Sequence, residues 1–102
     1  ILRYIRENIN QNIKIEDLSS ICYLTKDHFI RLFKKEMNCT PLQYINQKKI
    51  EKAQLMMVIG KKPVKNIAFS LSFNELSYFY RLFKKITGKS PQAYKAQFQN
   101  EE

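Results

Sequence analysis

Phe29-Ile30-Arg31-Leu32-Phe33-Lys34-Lys35 returns fifty residues later as Phe79-Tyr80-Arg81-Leu82-Phe83-Lys84-Lys85. The register persists beyond the heptapeptide. Thr40-Pro41 returns as Ser90-Pro91, and Tyr44 returns as Tyr94. Across 29–44 against 79–94, eight of sixteen positions are identical, too many for chance in a chain of 102 residues. Phe29, Leu32 and Phe33 stand at i, i+3 and i+4, the spacing of one helical face. Each copy therefore holds an amphipathic helix whose other face is basic.

Composition agrees with an ordered, helix-rich chain. It is 44% hydrophobic, with only two glycines and three prolines. A chain of this size buries a modest core without staples. The formal net charge of +9 implies an anionic partner such as nucleic acid, a membrane surface or an acidic protein. Cys22 and Cys39 have neither metal-ligand spacing nor the density of a disulfide framework, and read as reduced cytosolic thiols. No apolar run approaches the length of a membrane span, and no signal peptide is evident. The chain opens on Ile1 in what reads as mid-helix, so we expect a piece of a longer protein.

Outward from the repeat, the pattern is helical throughout, and we expect an all-α fold of seven helices. Ile1, Ile5 and Ile9, with Leu2 and Tyr4, mark a first helix, and residues 10–14 a polar break. A second helix is expected over 15–23, with Leu18, Ile21 and Cys22 inward and Glu16 and Asp17 in its first turn. Thr25 suits the N-cap of a third helix ending near Met37, with Phe29, Leu32 and Phe33 in the core and Glu36 at its edge. Asn38 tolerates the left-handed conformation that stops it. Pro41 suits the first turn of a fourth helix reaching about Ile59, stopped by Gly60. About 18 residues at 1.5 Å each give it roughly 27 Å. A fifth helix follows over 64–71. Asn74 is expected to cap a sixth that ends at Gly88, and Pro91 opens a seventh with Tyr94 and Phe98 one turn apart. The expected division is 1–40, a linker helix 41–60, a second unit 61–98 and a tail 99–102.

Each unit is thus a helix, a short turn and a basic helix, the helix-turn-helix pattern. On a wheel of about 100° per residue, Asp27, Arg31 and Lys34 fall opposite Phe29. Ser77, Arg81 and Lys84 fall opposite Phe79, Leu82, Phe83 and Ile86. The N-terminal half of such a helix enters the major groove, which brings Arg31 and Arg81 toward guanine edges. A solvated surface arginine is the alternative for either alone; their recurrence at one angle favours recognition. Lys34, Lys35, Lys84 and Lys85, with Lys26, suit phosphates, and equally suit the negative end of a helix. Asp27 suits a cytosine amino group or its own helix dipole. His28, Asn74, Ser77 and Tyr78 complete the candidate base readers. Tyr78 and Tyr80 serve equally as packing residues.

No constellation of catalytic groups accompanies the single histidine, His28. There is no Ser/His/Asp or Cys/His set, no carboxylate pair in an apolar setting and no glycine-rich phosphate loop. We therefore expect no enzyme, no cofactor and no metal. The rival to a specific reader is a non-specific basic nucleic-acid-binding helical module, which explains the charge but not the repeated outward arginine.

The motifs together resemble the AraC/XylS family of bacterial transcription regulators. The resemblance runs over residues 1–98. It is carried by Ile15-Glu-Asp-Leu18, the heptapeptide at 29–35, Thr40-Pro41-x-x-Tyr44-Ile45 and Ala53-x-x-Met56-Met57. It continues in Ile67-Ala68, Tyr78-Phe79-Tyr-Arg-Leu-Phe-Lys-Lys85 and Thr87-Gly88-x-Ser90-Pro91-x-x-Tyr94. It implies two helix-turn-helix units joined by a long central helix. Recognition helices at about 26–37 and 75–87 would enter adjacent major grooves of double-stranded promoter DNA in the bacterial cytoplasm. It also implies a further effector or dimerisation domain in the full protein, RNA polymerase as a partner of an activator, and no membrane contact by this domain. Five positions depart from the family pattern. Ser72 stands where glycine is usual, Lys49 where arginine is usual, Lys14 where a Ser or Thr cap is usual, and Met37-Asn38 replaces Thr-Gly. If the backbone at 72 takes positive φ, serine carries strain there that glycine would not.

Overall fold

A computed structural model of the chain describes residues 1–99. Among them lie seven helices and no strand: α1 (Leu2–Glu7), α2 (Ile15–Ile21), α3 (Lys26–Met37), α4 (Pro41–Ile59), α5 (Val64–Ser70), α6 (Leu76–Thr87) and α7 (Pro91–Gln99). This is the all-α pattern expected from the sequence. The expected tail at 99–102 lies outside the described residues, apart from the helical backbone of Gln99. The chain divides into two compact units between Lys48 and Lys49, inside α4.

The first unit is built around Ile5, Ile9, Leu18, Phe29, Phe33 and Ile45. Thr25 caps α3 as expected, its Oγ1 accepting from the His28 N–H at 3.2 Å. Asn38 ends α3 in the left-handed conformation at φ 61°, its N–H donating to the Lys34 carbonyl. Thr40 and Gln43 then close a reciprocal cap, each side chain accepting from the other's backbone N–H, at 3.1 and 2.9 Å. Buried Pro41 opens α4, where a missing N–H costs nothing. Lys14, before α2, makes no side-chain cap.

The second unit repeats this chemistry around a larger core of Ile50, Ala53, Met57, Val64, Ile67, Ala68, Leu71, Phe73, Phe79 and Phe83. Gly88 ends α6 at φ 84° with its N–H on the Lys84 carbonyl. Ser90 Oγ accepts from the Ala93 N–H, and buried Pro91 opens α7. The aromatic geometry is duplicated as well. Phe33 meets the edge of Tyr44 at 5.6 Å and 72°, and Phe83 meets Tyr94 at 5.6 Å and 73°.

Several sequence expectations need correction. Leu32 is not core: it is 42% exposed, on the rim of an open apolar groove of ≈ 500 Å³. Its counterpart Leu82 is packed against the second core. The wheel sets Leu32 to one side of the Phe29–Phe33 line, and in the first unit that flank faces the groove. Ile21 is 47% exposed while Ser19 is buried. The inward stripe of α2 is Ile15, Leu18, Ser19 and Cys22, spaced i, i+3, i+4 and i+7, and Ile21 lies off it. Ser19 fits inside because it is small and its hydroxyl donates to the Glu16 carbonyl. Leu2 is likewise exposed rather than part of the α1 stripe.

Asn74 does not cap α6. Glu75 holds that position without a side-chain cap, and the helix begins at Leu76. The repeat explains this. Leu24 and Phe73 occupy matching places, each donating its N–H to a carbonyl five residues back, at Ser19 and Ala68. Phe29 follows Leu24 by five residues, whereas Phe79 follows Phe73 by six. The extra residue moves Asn74 out of the cap. Gly60 does follow α4, but without positive φ; a Cβ there would stand 3.0 Å from the Met56 carbonyl oxygen.

These placements rank the aromatic and aliphatic positions of the two helices. Phe83→Ala and Phe33→Ala should each destabilise the domain by about 3–5 kcal/mol. Leu32→Ala should cost about 1 kcal/mol or less, because much of that side chain is already in water. Denaturant titration of the three variants checks the order; a Leu32→Ala loss equal to that of Phe33→Ala would place Leu32 in the core after all.

Candidate nucleic-acid interface

All twelve candidate contact residues are exposed. On α3 and its start these are Lys26, Asp27, His28, Arg31, Lys34 and Lys35; on and before α6 they are Asn74, Ser77, Tyr78, Arg81, Lys84 and Lys85. The cause is the inner face of each helix. Phe29 and Phe33, and likewise Phe79 and Phe83, are buried one turn apart with ring centroids 5.8 Å from each other. With that face fixed, Asp27, Arg31 and Lys34 share the outer face of α3, and Ser77, Arg81 and Lys84 that of α6.

Among the described residues, neither Arg31 nor Arg81 enters an ion pair. Their guanidinium forks are free to meet an external acceptor. Lys26 is engaged: its Nζ lies 3.0 Å from a Glu16 carboxylate oxygen. The hydrogen bond and charge of Lys26 hold the Glu16 carboxyl below its usual range. An exposed pair of this kind is weak, so Lys26 can exchange Glu16 for a phosphate. Lys34 and Lys35, like Lys84 and Lys85, sit in the last turn of their helices, where a cation also complements the helix dipole. Both outer surfaces are net basic, but only one carries acidic residues. Asp27 and Glu36 lie on α3, whereas α6 carries no carboxylate.

The two tyrosines separate. Tyr78 is exposed, with its ring 6.2 Å from that of Phe73. Tyr80 packs against the second core, and its hydroxyl accepts from Gln92 of α7. Tyr80 is thus a packing residue. Among the described residues no cluster of His, Cys, Asp and Glu forms a metal site, and no helix is long and apolar enough to cross a membrane.

A helix-turn-helix domain model matches residues 18–97. The AraC/XylS resemblance and the duplicated helix-turn-helix geometry coincide with that match. The chain belongs to the AraC/XylS family. Over 91 residues this AraC-type domain is 32% identical to the probable transcriptional regulator LumQ of Photobacterium leiognathi, covering 89% of the chain and 37% of that protein. Over 92 residues it is 33% identical to the MmsAB operon regulatory protein of Pseudomonas aeruginosa, covering 90% and 30%. The domain thus spans about a third of the length of these two relatives. Its fold is that of the DNA-binding domain of AdpA, solved in complex with a target DNA. The TM-score is 0.90 at 22% identity, over 96% of this chain and 88% of that one.

Within the AraC-type domain, sequence reasoning undervalued two positions. Tyr23 takes φ 57° in the turn between α2 and α3 and is 96% exposed. Lys49 is buried, 6% exposed, on the inner side of α4. Its Nζ donates to the Leu71 carbonyl and lies 5.7 Å from the centroid of the Phe73 ring. A signal for Lys49 was present: with Ile45, Ala53 and Met57 it completes an i, i+4 series of buried positions. Burial disfavours its charged form and pushes its pKa down from 10.5 to about 8.

That displacement has a defined sign. Below about pH 8 Lys49 is protonated in both folded and unfolded states, and burying the charge opposes folding throughout. Between about 8 and 10.5 the unfolded chain holds a proton that the folded chain lacks, so stability rises with pH across that window. Thermal unfolding from about pH 7 to about pH 10 should therefore show the parent gaining on a Lys49→Met variant. Parallel curves for the two proteins would show that the ammonium carries no burial penalty.

Proposed function

We propose that this AraC-type domain reads double-stranded promoter DNA with sequence specificity and thereby regulates bacterial transcription, α3 and α6 entering adjacent major grooves. The observation that carries this most is the recurrence of an unpaired arginine, Arg31 and Arg81, at one outward position of two exposed basic helices. Each arginine forks onto guanine O6 and N7. Asp27, His28, Asn74, Ser77 and Tyr78 line the same approaches as base readers, and Lys26, Lys34, Lys35, Lys84 and Lys85 grip phosphates. The names of LumQ and the MmsAB regulator, and the DNA in the AdpA complex, support this use of the fold. In the full protein the domain works in the cytoplasm beside an effector or dimerisation domain, and an activator would also meet RNA polymerase.

Selection from a random duplex library, followed by competition binding, tests the proposal. A specific reader prefers its site over random duplex by about 10³-fold or more. Equal competition by random duplex would leave the non-specific basic module, to which the net charge of +9 also points. With on the order of 6–10 phosphate contacts, affinity should fall about 10³–10⁵-fold from 50 to 200 mM salt. Lys34→Ala and Lys84→Ala should flatten that slope without altering the preferred sequence.

The two-helix arrangement has its own test. Arg31→Ala should relax preference in one protected patch and Arg81→Ala in the other, each costing about 1–3 kcal/mol. Half a helical turn of DNA inserted between the patches should reduce affinity to that of one unit. If both arginine variants alter the same base pairs, or the insertion is tolerated, only one helix reads bases.

A further inference from the structure

The turns that launch the two recognition helices are alike in backbone and unlike in support. In both, the middle residue is left-handed, Tyr23 at φ 57° and Ser72 at φ 65°. In both, the following N–H returns to the preceding helix, Leu24 to Ser19 at 3.0 Å and Phe73 to Ala68 at 3.1 Å. In the first unit the turn residues Cys22 and Leu24 border the apolar groove together with Ile1 and Leu2. In the second, the ammonium of Lys49 reaches both neighbours of Ser72, donating to the Leu71 carbonyl and lying over the Phe73 ring.

The setting makes that grip stiff. Leu71 and Phe73 are both buried. Leu71 is the C-cap of α5, where helix carbonyls lack intrahelical donors and favour a cation. A buried ammonium needs such acceptors to be tolerated at all. The start of α6 meanwhile lacks the local anchor that α3 enjoys. Thr25 caps α3, whereas Glu75 makes no side-chain cap on α6. The direction of α6 therefore depends on the turn behind it and on its inner aromatic rings.

We propose that Lys49 is the positioning residue of the second recognition helix, holding the Leu71 carbonyl and the Phe73 ring so that α6 leaves the turn in a DNA-competent direction. The inference rests on the DNA-reading function proposed above, although Lys49 itself is buried away from any DNA.

The test uses the whole chain with Lys49→Met, Lys49→Gln and Lys49→Arg. Amide exchange is followed at Phe73, with Leu24 as the matched control in the first unit, at a temperature where circular dichroism shows each variant folded. Lys49→Met should speed exchange at Phe73 about tenfold or more while leaving Leu24 unchanged. On selected DNA it should weaken protection of the patch assigned to Arg81 and spare the patch assigned to Arg31. Lys49→Arg, which restores a cationic donor, should recover both measures. If Lys49→Met does not fold, Lys49→Gln takes its place, uncharged and one bond shorter than lysine, and the same differences are expected. Unchanged exchange at Phe73, equal weakening of both patches, or no recovery with arginine would overturn the proposal. Exchange needs no DNA. A parent domain without sequence preference would sink the DNA-reading function, while exchange would still decide whether Lys49 holds the turn.

Discussion

Burial of two phenylalanines one turn apart on the same helix is the constraint from which the rest follows. Phe29 and Phe33 in α3, and Phe79 and Phe83 in α6, fix the rotation of each helix about its own axis. The edge of Tyr44 or Tyr94 against the second ring ties that helix to the start of the next. Such pairs add to the burial of the rings themselves. Once the inner face is fixed, the 3.6-residue period sends Arg31 and Arg81 outward without any further interaction. The proposed readers owe their exposure to the hydrophobic core rather than to polar contacts of their own.

The two units depart from strict duplication where α3 and α6 begin. In the first, five residues separate Leu24 from Phe29, and Thr25 falls on the N-cap. In the second, one residue more separates Phe73 from Phe79, and the cap passes to Glu75, which makes none. The second unit compensates with a larger aromatic cluster and with Lys49 beneath the turn. The first has a proper cap but leaves Leu32 beside an open groove. One copy of the motif thus begins its basic helix on a local hydrogen bond, and the other sits against a tertiary contact.

Charge follows the same division. α3 carries Asp27 and Glu36 among its cations, and Lys26 is engaged by Glu16. α6 carries no carboxylate. A long-range phosphate attraction is therefore less tempered on α6 than on α3. Within the proposed function, α6 adds more to the salt-dependent part of binding. Asp27 gives α3 a first-turn carboxylate that repels a phosphate.

The heptapeptide repeat, the prolines at 41 and 91, and the cap residues Thr25, Asn38 and Gly88 determined four of the seven helices, α3, α4, α6 and α7, and the outward face of two of them. Those features are local: periodicity, φ restriction and side-chain capping act within a few residues and are written in sequence order. Ser19 inside and Ile21 outside, Leu32 on a groove rim, and Asn74 outside the cap were decided only by tertiary structure. Each depends on what lies across from the residue, and a one-residue change in the spacing of the repeat moves it. Lys49 falls between the two kinds. Its place in a buried i, i+4 series was visible in the sequence. The Leu71 carbonyl and the Phe73 ring that make burial of its ammonium tolerable lie more than twenty residues away, and only folding brings them to it.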